Sequence, residues 1–136
     1  MRSEPTLAER LSACPEVIFA LLFGSRARGT ARPDSDLDVG VFLSPDLTAE
    51  QRWGVRLRLQ AGLENAGRVD VVVLNDAPSL LAHRALLGEL LFARDRAAYV
   101  RFFVRSVARS EDERYYRELH EAARRRRLAE GRFGRP

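Results

Sequence analysis

The chain has 136 residues, 46% of them hydrophobic and 31% charged, with a formal net charge of +4, a size and mix that suit one compact domain over 1–136 and leave little room for two. No apolar run approaches the roughly 18 residues needed to cross a bilayer, the opening segment lacks the apolar centre of a signal peptide, and a single cysteine cannot form an internal disulfide, so a cytoplasmic protein without membrane attachment is expected. All 23 basic residues are arginine, which suits phosphate and planar carboxylate partners but is by itself poor evidence for nucleic acid.

In chain order, Thr6 and Glu9 stand at capping-box spacing and predict a short helix that Pro15 stops. Cys14, among the apolar residues of that helix, reads as a packing residue. VIFALLF, residues 17–23, is unbroken in apolar character and predicts a strand buried on both faces, ended by Gly24. SRARG, residues 25–29, reads as a short turn of helix with Gly29 at its exit. DLDVGVFL, residues 36–43, predicts a second strand whose opening end is near solvent. A second capping box, Thr48 with Gln51, opens a helix expected to run through Trp53, Leu57 and Leu63 to Gly67. RVDVVVLN, residues 68–75, is a valine-rich third strand with an acid embedded near its start.

Beyond Pro78 a helix containing Leu80, Leu81 and Leu87 is expected to run to Gly88, and LLFAR is a candidate fourth strand. From Asp95 the spacing turns helical again. Tyr99, Phe102, Phe103 and Val107 form one stripe, and Tyr116, Leu119 and Ala123 form another on a final helix; both read as core or partner contacts. The order of elements predicts an α/β (α+β) domain with a small mixed sheet of three to four strands flanked by helices. The core would occupy about residues 6–93 and C-terminal helices about 95–130.

The chemistry concentrates in residues 23–42, FGSRARGTARPDSDLDVGVF. Asp36 and Asp38 lie two apart on a strand, so both carboxylates leave one face with Cα atoms about 6.6 Å apart. A bare Asp-x-Asp is ordinarily a pair of solvated acids at a strand end. Asp70 alters the balance, because it sits where a buried strand would carry an apolar residue. With the third strand beside the second, the three acids converge on one end of the sheet. An all-oxygen set suits Mg²⁺ or Mn²⁺ and not zinc. A calcium loop starting at Asp34 fails on its own pattern, since its sixth position is Val39 and its twelfth is Pro45. Gly24 leaves room for a ligand, Ser25 offers an N–H and a hydroxyl at a helix start, and Arg28 follows on the same helical face; together they read as a phosphate seat.

Gly24 and Ser25, ten intervening residues, then Asp36 and Asp38 resemble the signature of the DNA polymerase β-like nucleotidyltransferase superfamily. The longer form, GSRARG with SDLDVGV and later RVDVVVL, is similar to its minimal nucleotidyltransferase (MNT) branch. The resemblance in motifs covers residues 17–74. It implies that Asp36, Asp38 and Asp70 bind two Mg²⁺ ions, that Asp70 helps deprotonate an attacking hydroxyl, and that Gly24, Ser25 and Arg28 hold the triphosphate of a nucleotide such as ATP. It also implies a role like that of the antitoxin in HEPN/MNT pairs, where AMP is placed on a tyrosine of a HEPN ribonuclease toxin. Two other expectations accompany it: a stand-alone transferase acting on a small molecule such as an aminoglycoside, and an antitoxin that acts by binding alone.

The arginine run Arg124–Arg127 circles a helix and reads mainly as a solvated end, with RNA contact as the lesser reading. Arg114 and His120 match the spacing of HEPN ribonucleases only by accident of an arginine-rich chain, and His83 reads as a residue of a packing helix.

Overall fold

The computed structural model describes residues 6–24, 37–64 and 69–129. Among the described residues four strands and four helices follow in the order α1 (Leu7–Ser12), β1 (Val17–Phe23), β2 (Leu37–Leu43), α2 (Ala49–Gly62), β3 (Val69–Val73), α3 (Ser79–Leu86), β4 (Glu89–Ala93) and α4 (Arg96–Ala129). The sheet runs in the order β3-β2-β1-β4. Its β1–β2 and β1–β4 pairings are antiparallel, and β2–β3 is parallel. The expected mixed sheet is therefore present, with LLFAR contributing to β4.

Both faces of the sheet are covered, which is why β1 is apolar throughout. Leu11 of α1 and Val55 and Leu59 of α2 pack with Ala20, Val39, Val41 and Val71 on one face. Ala82 and Ala85 of α3 and Phe102 of α4 pack with Phe19, Leu21 and Phe23 on the other. A bulge between Val17 and Phe19 sends these two residues into opposite cores. Phe19 is fully buried and stacks on Phe42, with ring centroids 4.9 Å apart.

Local signals account for the helix ends. The Thr6 hydroxyl accepts from the Glu9 N–H, and Thr48 and Gln51 form a reciprocal capping box at the start of α2. Cys14 lies just past α1, not within it; its thiol donates to Glu16 Oε2 at 2.9 Å. Arg58 of α2 reaches the same carboxylate at 3.1 Å, so the half-buried thiol joins a polar cluster. Burial first, and then the Glu16 hydrogen bond, push the thiol above its usual range.

α2 ends at Gly62, short of the expected Gly67, which lies outside the described residues. Leu63 is buried beside Leu59 and turns the chain there, its N–H donating to the Leu59 and Gln60 carbonyls. The face that packs is the one through Val55 and Leu59, so Trp53 and Leu57 stay exposed. The two C-terminal stripes belong to a single 34-residue α4 rather than to separate helices, because no glycine or proline interrupts residues 96–129. Phe102 is buried against the sheet and Tyr99 half-buried, while Tyr116, Leu119, Ala123 and Arg124–Arg127 all face solvent. Among the described residues, no helix is long and apolar enough to cross a membrane.

Candidate active site

The parallel pairing of β2 with β3 puts Asp38 directly opposite Asp70. Paired residues on neighbouring strands project to one face, about 4.8 Å apart along the hydrogen-bonding direction. The antiparallel pairing puts Phe23 opposite Asp38 on the other side, so Gly24, the next residue, comes off β1 beside that carboxylate. A methyl group at Gly24 would lie 2.6 Å from Asp38 Oδ2, and its φ is +98°. Glycine is required at this position for both reasons: close approach to the acid, and a backbone conformation that L side chains rarely adopt.

The parallel register is held beyond the C-terminal end of β3. Asn75, just past the strand, accepts from the Leu43 N–H and donates to the Leu43 carbonyl, extending the ladder by a side-chain pair. Toward the site, Gly40 leaves space that Leu74 fills; a Cβ there would meet Leu74 Cδ1 at 2.9 Å. On its outer edge β3 is bound by α2. Gln60 donates to the Val69 carbonyl and accepts from the Val71 N–H, and Arg56 Nε donates to the Val71 carbonyl at 2.9 Å.

Arg56 was not singled out by sequence reasoning. Its Nη2 lies 3.9 Å from Asp70 Oδ1, on a carboxylate side chain that is 57% exposed. Its guanidinium also sits over the Trp53 ring, 5.2 Å from the centroid. The available signal was the i, i+3 spacing of Trp53 and Arg56 on one helical face, which says nothing about Asp70 without the strand register.

Of the six candidate residues, Gly24, Asp38 and Asp70 are brought together at one end of the sheet. Ser25, Arg28 and Asp36 lie outside the described residues, as does the short helix expected over 25–29. Among the described residues no group of three or more His, Cys, Asp or Glu side chains gathers as a metal site. Asp38 and Asp70 nevertheless present carboxylate oxygens from adjacent strands beside a glycine with no side chain in the way, a donor chemistry that suits a hard divalent cation. His83 is exposed on α3, and Arg114 pairs with Glu118 along α4.

A four-stranded mixed sheet, two facing acids on parallel neighbours and a positive-φ glycine against one of them define a class. The polymerase beta nucleotidyltransferase family model matches residues 6–97, and the chain belongs to that family. The protein adenylyltransferase MntA of Shewanella oneidensis is 31% identical over 72 residues, which is 53% of this chain and 50% of that protein; the chain spans about half the length of this curated relative. Among solved structures, a chain in a toxin-antitoxin crystal structure with AMP-PNP superposes with a TM-score of 0.65 at 22% identity, covering 87% of this chain and 98% of the other. A chain from the complex of tri-AMPylated Shewanella oneidensis HEPN toxin with MNT antitoxin gives a TM-score of 0.56 at 21% identity, covering 82% and 86%. At such identities the structural matches establish a shared fold.

Proposed function

We propose that this chain transfers AMP from ATP to a tyrosine hydroxyl of a HEPN-type ribonuclease toxin and thereby acts as its antitoxin. The observation that carries the reading is the register of Asp38 against Asp70 with Gly24 closed onto Asp38. The family match supports nucleotidyl transfer. The adenylyltransferase relative and the AMPylated toxin complex support AMP as the group moved and a HEPN protein as its acceptor.

In this reading Gly24, Ser25 and Arg28 seat the triphosphate, and Asp36, Asp38 and Asp70 would hold Mg²⁺. The bound ions would neutralise phosphate charge and favour the ionised form of the attacking hydroxyl. The tyrosine oxygen attacks the α-phosphorus in line, the bond from that phosphorus to the bridging oxygen breaks, and pyrophosphate leaves. Asp70 takes the hydroxyl proton and passes it to solvent. The chain contributes positioning and a fixed electrostatic frame.

Co-expression with a HEPN-type ribonuclease toxin that this chain binds separates catalysis from simple covering. The wild-type chain should neutralise the toxin, while Asp36→Asn and Asp70→Asn should fail to do so at equal abundance. Neutralisation by both variants would replace this reading with that of an antitoxin acting by binding alone.

A further inference from the structure

The sheet order fixes the side from which an acceptor can reach the reacting phosphorus. This inference rests on the transfer reading and on its assignment of the triphosphate to Gly24. From β1 outward come Gly24, then Asp38 on β2, then Asp70 on β3, and β3 is the edge strand. In-line displacement demands that the attacking oxygen stand opposite the departing pyrophosphate. With the leaving group on the β1 side, the hydroxyl must arrive over the β3 edge.

What stands on that edge is an open groove of about 320 Å³, walled by Trp53 and Arg56 of α2, Val73 of β3, Ala77, and Leu81 of α3. Its lining is mostly apolar, and Trp53 is 58% exposed. Arg56 belongs to both places: it lines the groove and approaches Asp70. The groove opens at the Val73 end of β3, three residues or about 10 Å along the strand from Asp70, so a segment seated in it would run back along the edge past Arg56 to bring a hydroxyl to Asp70. Gln60 and Arg56 already occupy the edge hydrogen-bonding groups of β3 from Val69 to Val71. An incoming chain consequently cannot dock there by adding a strand and has to be held through side chains.

We infer that this groove is the docking surface for the polypeptide segment of the toxin that carries the acceptor tyrosine, with Trp53 as its anchor and Arg56 as the residue that orients Asp70 toward the entering hydroxyl. An exposed aromatic beside an arginine is the composition of an interface anchor. Trp53 lies off the buried face of α2, which runs through Val55 and Leu59, and within the helix its ring carries the Arg56 guanidinium.

Steady-state kinetics with the purified HEPN partner and ATP test the inference. Trp53→Ala should raise KM for the partner at least tenfold and leave KM for ATP within twofold, and Trp53→Phe should restore most of the loss. A rise in KM for ATP instead would make the groove a nucleotide site, and no change in either constant would remove it from the reaction; both results overturn the inference. Photo-crosslinking separates its failure from that of the transfer reading, since it needs no turnover. With p-benzoylphenylalanine at position 53 of the Asp38→Asn chain, the crosslink should map to the peptide bearing the acceptor tyrosine. A crosslink to a different partner surface, or none in a formed complex, overturns the inference even where the wild-type chain transfers AMP.

Discussion

Replacing Gly24 by alanine would place a methyl carbon 2.6 Å from Asp38 Oδ2, against the 3.4 Å at which ordinary contact begins. It would also force φ +98° on a residue with a side chain. The backbone penalty alone is about 1–2 kcal/mol, which for a domain of this size lowers Tm by roughly 3–10 °C. The collision acts on the carboxylate itself. Asp38 has to turn or slide away by a large fraction of an ångström, and a misplacement of about 1 Å at a reacting centre costs on the order of 100-fold. Gly24→Ala should therefore remain folded, melt a few degrees lower and lose about two orders of magnitude in AMP transfer. Gly88→Ala presses on β1 from its β4 side, because its Cβ would meet the Leu22 backbone oxygen at 2.1 Å; it should lose more stability than Gly24→Ala. Far-UV circular dichroism melts and transfer of radiolabel from α-labelled ATP give both readouts. A folded Gly24→Ala chain with transfer within threefold of wild type would refute the claim that Asp38 is held against this glycine for catalysis.

Gln60→Ala removes two hydrogen bonds from the outer edge of β3 and should cost about 1–3 kcal/mol in urea unfolding at roughly 0.5–1.5 kcal/mol per bond; an unchanged midpoint would show that the edge does not depend on α2. Cys14 should be alkylated by iodoacetamide at pH 8 well below the rate of the same cysteine in urea, since burial keeps its thiol protonated past the usual range. A native rate equal to the unfolded one would contradict this. The Cys14 thiol bond, joined by Arg58, holds the Glu16 carboxyl below the ordinary glutamate range. Its stabilising contribution is therefore complete above about pH 4.3 and fades as pH falls through the depressed value. The Tm difference between wild type and Glu16→Gln should accordingly shrink as pH drops below about 4; a difference that grew in acid would reverse the assigned sign.

The parts of the fold legible in the sequence are those where one physical signal dominates. VIFALLF could be read as a doubly covered strand because no polar residue interrupts it, and Asp70 stood out because its neighbours are valines. That Asp38 and Asp70 meet was an expectation conditional on β3 lying beside β2, and the parallel register satisfies it. Length was harder to read. The helix after Thr48 was expected to reach Gly67, yet it ends at Gly62, where glycine weakens the helix and Leu63 turns inward toward the core. The C-terminal stripes appeared to belong to more than one helix, although an absence of glycine and proline over 96–129 favours one continuous rod. Trp53 and Leu57 show the limit of apolar character as a guide: helical position decides burial, and both lie off the face of α2 that buries Val55 and Leu59. Arg56 could not have been found at all from its neighbours in sequence, since its partner on β3 is set by packing.

The central claim is that Asp38 and Asp70 frame a centre that moves AMP onto a partner's hydroxyl. Intact-mass spectrometry of a HEPN-type toxin bound by this chain and incubated with it, ATP and Mg²⁺ tests it most directly. The account predicts additions in whole multiples of an AMP residue that map to tyrosine, and none with Asp38→Asn. An unmodified partner in the presence of the wild-type chain, with all three acids intact and the complex formed, would contradict it.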